Sequence, residues 1–170
     1  MHSVFVLDRW RFSQGWFSTA LTQVSGEGMN SVELRALDNA GNISALVNSA
    51  VNIDLTAPTV GVSAFPSVLW PANGKMVPVA VYGAITDKLS GVDLNNAFFA
   101  VVDEYGKVQP SGRVKVDRLG LYAFVIWLQA SRNDSDKDGR HYTITVGTRD
   151  LAGNLGSGAT VVTVPHDHGH

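Results

Sequence analysis

Short runs of apolar residues alternate with polar ones along most of this chain, and Gly, Asn, Asp and Pro separate the runs. This pattern is typical of β-strands joined by turns, and helical periodicity is almost missing. In one run Tyr142, Ile144 and Val146 share a face, as a half-buried antiparallel strand requires. The strands predicted in the second half of the chain are Thr59 to Ala64, Met76 to Tyr82, Ala97 to Val102, Arg113 to Val116, Leu121 to Leu128, Tyr142 to Thr148 and Thr160 to Val164.

Two of these strands carry unusual residues. The run from Leu121 to Leu128 is apolar on both faces, which indicates either a central strand or an additional contact surface. Pro78 lies inside the strand predicted from Met76 to Tyr82. Because proline has no N–H to donate, it favours an edge strand or a bulge there.

A five-residue turn occurs twice, as Asp38-Asn39-Ala40-Gly41-Asn42 and as Asp150-Leu151-Ala152-Gly153-Asn154. Each copy stands between two predicted strands, so both resemble the last hairpin of one repeated domain type. Folding alone explains the chemistry: the aspartates close Asx-turns, the glycines accept positive φ and the asparagines tolerate left-handed geometry. A structural role is therefore preferred for Asp38, Gly41, Asn42, Asp150, Gly153 and Asn154.

The linker Asp54 to Pro58 predicts a domain boundary, since proline favours an extended path. Residues 1–57 hold only four or five predicted strands, so we expect an incomplete domain that contains the C-terminal strands only. Residues 58–165 hold a full strand set, and residues 166–170 form a His-rich tail. An incomplete sandwich exposes an apolar edge, which another chain or a neighbouring domain must pair.

Composition narrows the functional classes. Apolar residues make up 45% of the chain and charged residues 16%, which is enough to build a packed core. The net charge of −2 offers no field that recruits nucleic acid or anionic lipid. Without cysteine there is neither a disulfide nor a thiol nucleophile. The chain shows no signal-peptide pattern at Met1 and no apolar stretch of about 20 residues that would span a membrane.

The sequence resembles bacterial Ig-like repeats, which are modules of exported surface proteins. It rests on the two Asp-x-Ala-Gly-Asn hairpins and on the linker Ile53-Asp54-Leu55-Thr56-Ala57-Pro58. The segment Leu69-Trp70-Pro71-Ala72-Asn73-Gly74-Lys75-Met76 is similar to a signature at the start of secreted Ig-like or fibronectin-like domains, with Ala72 in place of a second proline. The resemblance implies an all-β, Ig-like or fibronectin-like antiparallel sandwich, preceded by a partial domain of the same kind. It also implies an extracellular or cell-surface setting, and it implies no ligand.

The sharpest motif is Asp134-Ser135-Asp136-Lys137-Asp138-Gly139. Carboxylates at alternate positions followed by a glycine can converge on calcium, and Asn133 could add an oxygen. Thr145 stands where an EF-hand needs its distal glutamate, so an EF-hand is excluded. The alternative is a solvated acidic hairpin.

A second calcium hypothesis concerns Asp54, Asp87 and Asp150. If the strand order is Ig-like, these three carboxylates come to the same pole of the second domain, where tandem modules sometimes hold an interdomain calcium.

The tail offers a third metal candidate, because His166, His168 and His170 with Asp167 can chelate zinc, nickel or copper. An unanchored tail must lose entropy to bind an ion and offers no supporting hydrogen bonds, so adventitious binding is the favoured interpretation.

Tryptophans are candidates for a carbohydrate platform. Packing is the ordinary explanation for Trp70 and Trp127, and Trp10 and Trp16 are expected to fill the core of the first domain or of a partner. Carbohydrate is retained as a further partner.

Catalysis finds little support, since no nucleophile elbow, zinc-protease motif, phosphate loop or dinucleotide fingerprint is present. Tyr142 is expected to bond the backbone as a tyrosine corner. Two functions remain: a non-catalytic spacer, stalk or adhesion module, with or without calcium to rigidify it, and a filament subunit assembled by strand complementation of the first domain. In both, the partners are neighbouring protein domains or further copies of the chain.

Overall fold

The computed structural model describes residues 11–12, 15–16, 26–35 and 40–167. The chain divides into two compact units, Met1–Leu55 and Thr56–His170. The boundary lies within the predicted linker Asp54 to Pro58. Among the described residues, no helix is long and apolar enough to cross a membrane.

The described residues of the first unit contain two antiparallel pairs of strands. The short strands β1 and β2 pair with each other, and so do the longer strands β3 and β4. Their bounds are Arg11–Phe12 for β1, Gly15–Trp16 for β2, Gly28–Leu34 for β3 and Val47–Ile53 for β4. The incompleteness of this domain stays a prediction.

The second unit consists of two antiparallel sheets that pack face to face as an all-β sandwich, which confirms the predicted fold class. One sheet has the order β10-β7-β5, with β6 also on β7, and the other has the order β12-β11-β8-β9. Their bounds are β5 Thr59–Val60, β6 Ser63–Phe65, β7 Met76–Thr86, β8 Phe98–Asp103, β9 Ser111–Arg113, β10 Leu121–Gln129, β11 Arg140–Arg149 and β12 Leu155–Val164.

The core lies between these two sheets and follows the predicted alternation. Tyr142, Ile144 and Val146 of β11 are all fully buried and pack against residues of β7 such as Val79 and Val81. Each buried aliphatic side chain of this kind contributes about 1.5–3 kcal/mol relative to an exposed one. The face predicted from the period of two is thus the face that holds the sandwich together.

Pro78 lies in β7, which is paired on both sides and is therefore not an edge strand, contrary to the prediction. The proline is nevertheless tolerated for the expected reason. It faces Trp127 of β10, whereas β6 pairs with β7 only from Ala80 to Tyr82. At Pro78 the far side of β7 is consequently open, and no ladder hydrogen bond is lost.

The run from Leu121 to Leu128, expected as a central strand or a contact surface, forms β10 at the edge of its sheet. Its inward side chains Tyr122, Ile126 and Leu128 are buried, whereas Val125 and Trp127 are 58% and 57% exposed. A central position is therefore wrong for this strand.

The first strand of the sandwich is interrupted between β5 and β6, which both pair with β7, and a glycine of β7 makes room for the chain there. Gly83 of β7 faces the chain between β5 and β6, where the carbonyl of Gly61 accepts a hydrogen bond from the Tyr122 hydroxyl at 2.7 Å. A Cβ on Gly83 would overlap that carbonyl oxygen and would lie 2.7 Å from the same hydroxyl. The absence of a side chain at position 83 is thus what allows the first strand to approach β7.

We predict that Gly83→Ala lowers the free energy of unfolding by about 1–3 kcal/mol, because overpacking forces the backbone apart. Urea unfolding followed by tryptophan fluorescence measures the loss. Gly61→Ala is the matched control, since its Cβ would meet the carbonyl oxygen of Ala84 at an ordinary 3.5 Å. Equal midpoints for the two variants would contradict this account.

Candidate functional site

The acidic loop between β10 and β11 is held by one tyrosine. The Tyr105 hydroxyl accepts a hydrogen bond from the backbone N–H of Asn133 at 3.0 Å and donates one to the carboxylate of Asp136. Burial raises the pKa of Tyr105, and the hydrogen bond and charge of Asp136 raise it further, so this hydroxyl keeps its proton. Asp136 is thereby fixed by a neutral donor within the protein.

The other carboxylates of the loop face solvent. Asp134 lies 3.4 Å from the guanidinium of Arg132, with its side chain fully exposed. Asp138 is exposed as well. The carboxylates of Asp134, Asp136 and Asp138 do not form a group of three within 4.8 Å of one another in the part of the chain that the structure describes. Calcium binding by this loop stays a prediction, and it would require Asp138 and Asp134 to turn towards Asp136.

A buried ion pair anchors the tyrosine that holds this loop. Arg140 at the start of β11 and Asp103 at the end of β8 form a two-point contact: Nε donates to Oδ1 at 2.8 Å and Nη2 to Oδ2 at 2.5 Å. Nη1 donates to the carbonyl and the hydroxyl of Ser131 at 3.0 and 2.9 Å. The guanidinium also lies between the rings of Tyr105 and Tyr142, at 4.7 and 4.6 Å from their centroids.

Asp103 is supported on its other side by the turn after β8. Its carboxylate accepts the backbone N–H groups of Tyr105, Lys107 and Val108 at 3.1, 3.0 and 2.9 Å. Burial by itself would raise the pKa of Asp103, but the hydrogen bonds from Arg140 and from these amides outweigh it and hold the pKa well below its ordinary value. Burial would likewise lower the pKa of Arg140, and Asp103 raises it instead.

The chemistry of this ion pair is structural. Both side chains are almost completely buried, and the carboxylate is occupied by five donors. Neither group is left to bind a ligand or to transfer a proton. The pair connects β8, β11 and the loop at Ser131, and it orients the Tyr105 ring. Sequence reasoning missed it because Asp103 and Arg140 stand far apart in the chain and no motif links them.

Tyr142 behaves as the predicted tyrosine corner. Its hydroxyl donates to the backbone carbonyl of Gln129 at 2.8 Å, and burial raises its pKa to about 12. A tyrosine that is protonated at neutral pH and bonded to the backbone is not activated as a nucleophile.

A second acidic site lies at the pole of the second unit where β7 ends. Asp87 follows β7 and Asp150 follows β11, and their carboxylate oxygens lie within 4.8 Å of each other. Asp87 accepts the N–H groups of Leu89 and Gly91 at 3.1 and 2.7 Å. The structure thus brings together two residues that the sequence placed at one pole only by assuming an Ig-like strand order.

The turn chemistry predicted for Asp150 is present as well. Its carboxylate accepts the backbone N–H of Asn154 at 2.8 Å and the Asn154 side-chain amide at 2.7 Å. Gly153 has φ +98°, which requires glycine, and Asp150 is 2% exposed. In the first copy of the turn, Gly41 has φ +87°, Asn42 is exposed and Asp38 lies outside the described residues.

The His-rich tail and the tryptophans are the remaining candidate sites. His166 contacts Asp167 at 2.8 Å, which lowers the pKa of that aspartate, whereas His168 and His170 lie outside the described residues. Trp10 and the side chain of Trp16 also lie outside them. Trp70 is 47% and Trp127 57% exposed, so about half of each residue is packed against the protein and half faces solvent.

Comparison with solved structures finds distant likenesses only. No protein-family model matches the chain, and no curated protein matches it. A solved structure from work on the host cell surface retention of a 1.5-MDa bacterial ice-binding adhesin is similar over 86% of this chain, with 13% sequence identity and a TM-score of 0.46. The likeness covers 46% of that chain, so the present chain spans less than half its length.

We predict that Asp103→Asn lowers the free energy of unfolding at pH 7 by about 3–5 kcal/mol, because it leaves the charge of Arg140 buried without its partner. The folded-state pKa of Asp103 is depressed, so its contribution is present above the unfolded value of about 4 and lost as pH falls through the folded value. The difference between wild type and variant should therefore narrow below about pH 4.

Urea unfolding at a series of pH values measures this difference. Glu104→Gln is the control, since Glu104 is a half-exposed partner of His141 and its loss should cost at most about 1 kcal/mol. A gap between wild type and Asp103→Asn that stays constant from neutral to acid pH would show that the ion pair is not its source.

Proposed function

We propose that this chain is a non-catalytic module of a bacterial surface protein, of the Ig-like repeat kind, and that it serves as a spacer, stalk or adhesion unit outside the cell. The observation that carries the proposal is the course of the chain through the second unit. β5 enters beside the end of β7, where Thr59 pairs with Thr86. β12 leaves at the opposite pole, where Val164 pairs with Arg140.

A module entered at one pole and left at the other can be joined in series so that each copy adds its full length. β12 alone is 10 residues long, which corresponds to about 33 Å. The buried ion pair and tyrosine corner are committed to holding strands together, which supports a mechanical rather than a chemical role. The fold by itself does not select a ligand.

Surface location is tested by labelling cells of the source organism with antibodies against the second unit. We expect labelling of intact cells. Labelling that appears only after permeabilisation would contradict the extracellular assignment.

The alternative function is a filament subunit in which the first domain receives a strand from another copy. The described pair β3 and β4 supports this alternative, because it is a two-stranded sheet with little buried apolar surface. Every residue of β4 except Ile53 is exposed. Negative-stain microscopy separates the two functions. Long fibres would favour the filament, and small discrete particles would favour the spacer.

Calcium belongs to the same proposal, and we place it at the pole that holds Asp87 and Asp150. Two carboxylates this close repel each other, and a hard cation with oxygen ligands relieves the repulsion. In the acidic loop, by contrast, the carboxylates of Asp134, Asp136 and Asp138 do not form such a close group among the described residues.

We predict that calcium raises the melting temperature of the chain and that a chelator reverses the effect. Asp87→Asn should abolish the rise, since it removes one charged ligand while an amide oxygen can still accept the N–H groups of Leu89 and Gly91. Asp138→Asn is the matched control in the exposed acidic loop. Calorimetric titration and thermal melts measure both variants.

Two outcomes would count against this assignment. Loss of calcium binding in Asp138→Asn with retention in Asp87→Asn would move the site to the acidic loop. No heat of calcium binding, together with melting unchanged by chelator, would remove calcium from the proposal.

A further inference from the structure

The outer surface of the sheet formed by β6, β7 and β10 is apolar. Side chains alternate along these strands, and the inward ones, such as Val79, Val81 and Ile126, are buried in the core. The positions between them point outwards. They are Ser63 and Phe65 of β6, Met76, Pro78, Ala80 and Tyr82 of β7, and Leu121, Ala123, Val125, Trp127 and Gln129 of β10. None of these side chains is charged, and we call the surface that they form the apolar face.

The pairing register shows how the side chains of the apolar face are arranged. Ala80 lies at the centre, directly between Phe65 of β6 and Val125 of β10. Tyr82 stands one row away along β7, and Trp127 stands one row away in the other direction on β10. Bulky side chains therefore surround a small central one. Such relief is what lets the side chains of two stacked sheets interdigitate.

Charge borders the apolar face at the edge of β10. Val116 bridges to Tyr122 there, and its exposed neighbours Lys115 and Asp117 carry opposite charges. An apolar centre with a polar rim is the usual anatomy of a protein interface.

The outer surface of the other sheet differs from the apolar face. Thr143 and Thr145 of β11 bring hydroxyl groups to it, and His141 contacts Glu104 there at 2.9 Å. An uncharged outer surface is therefore not a general property of this sandwich.

The exposed area of the apolar face is that of one side of a protein dimer. Its six largest side chains are between 47% and 71% exposed: Phe65, Met76, Tyr82, Leu121, Val125 and Trp127. Side chains of these sizes, exposed to this extent, present about 700 Å² in total. A specific dimer of standard size buries about 800 Å² on each partner. The apolar face is consequently large enough to form such a contact by itself.

The chemistry of the apolar face argues against charged and sugar ligands. Nucleic acids and anionic lipids bind surfaces that carry lysine and arginine, and the strands of this face present neither outwards. A sugar needs placed polar groups beside an aromatic ring. The amide of Gln129 is the strongest such group here, and it already donates to the carbonyl of Gly74 at 3.1 Å. A matching occupant is a second uncharged surface of the same area, because a charge buried here would lose its hydration without a partner.

From these observations we infer that the apolar faces of two copies of this chain pack against each other about a two-fold axis. The two sheets stack about 10 Å apart, as sheets do inside a sandwich, with Ala80 of each copy near the axis. A two-fold contact uses the same patch on both copies, so an uncharged centre meets an uncharged centre and the assembly closes at two. The contact is therefore distinct from strand complementation of the first domain, which would build a filament.

Sedimentation of the full chain tests this contact with a pair of matched variants. Ala80→Lys places a charge at the centre of the apolar face, and Ala159→Lys makes the same change at an exposed position on the outer surface of the other sheet. We expect a wild-type dimer with a dissociation constant in the micromolar range or below. Ala80→Lys should weaken it at least about 100-fold, since a charge would be buried without a partner, whereas Ala159→Lys should leave it unchanged. Circular dichroism and thermal melts check that both variants fold.

Oxidation of methionine by hydrogen peroxide supplies a second measurement that locates the contact. Met76 lies on the apolar face and is 47% exposed, whereas Met29 of β3 is 73% exposed and reports on the first unit in the same sample. Thioether oxidation follows exposure. We expect oxidation of Met76 to slow as the protein concentration rises, in wild type and in Ala159→Lys but not in Ala80→Lys. A filament built by the first domain would instead protect Met29 and leave Met76 reactive.

Four results would overturn the inference. The first is a wild-type chain that stays monomeric up to about 500 µM. The second is a dimer that Ala80→Lys retains, or that both variants lose equally. The third is oxidation of Met76 that does not depend on protein concentration, either because the residue always reacts or because the chain's own first unit covers it at every dilution. The fourth is a monomer whose Met76 is protected by an insoluble polysaccharide, which would assign the apolar face to sugar.

Discussion

The buried contact between Arg140 and Asp103 is the interaction on which one pole of the second unit depends. Taking two charges out of water costs several kcal/mol per ion unless hydrogen bonds replace the lost hydration. Here each nitrogen of the guanidinium has a partner, and backbone amides supply further hydrogen bonds to the carboxylate. The pair fixes the start of β11 against the end of β8, and through the Tyr105 ring it fixes the acidic loop as well. The position of the exposed acidic loop thus depends on the buried pair Arg140 and Asp103.

Much of the fold could be predicted from the sequence because burial imposes a period of two on antiparallel strands. The face Tyr142, Ile144 and Val146 follows directly from that rule and is fully buried. The rule fails for β10, because an apolar strand looks the same whether a sheet, another copy or nothing covers its outer face. It also fails for Arg140, since local pattern contains no information on a partner such as Asp103. The proximity of Asp87 and Asp150 followed from topology and not from any motif, because the two residues stand on different strands.

The proposed role as a load-bearing link rests on the course of the chain through the second unit. The acidic pole of this unit lies where the chain enters, and the chain leaves at the far pole.

The central claim is that the second unit carries the chain from one pole to the other. A distance between its two ends tests this most directly. With spin labels on Thr56→Cys and Asp167→Cys in the otherwise cysteine-free full chain, electron-spin distance measurements at low concentration should give a single narrow distribution near about 35 Å, the length of β12. A distribution centred near about 10 Å, or one too broad to define a separation, would place both ends at one pole or leave them unfixed and would contradict the account.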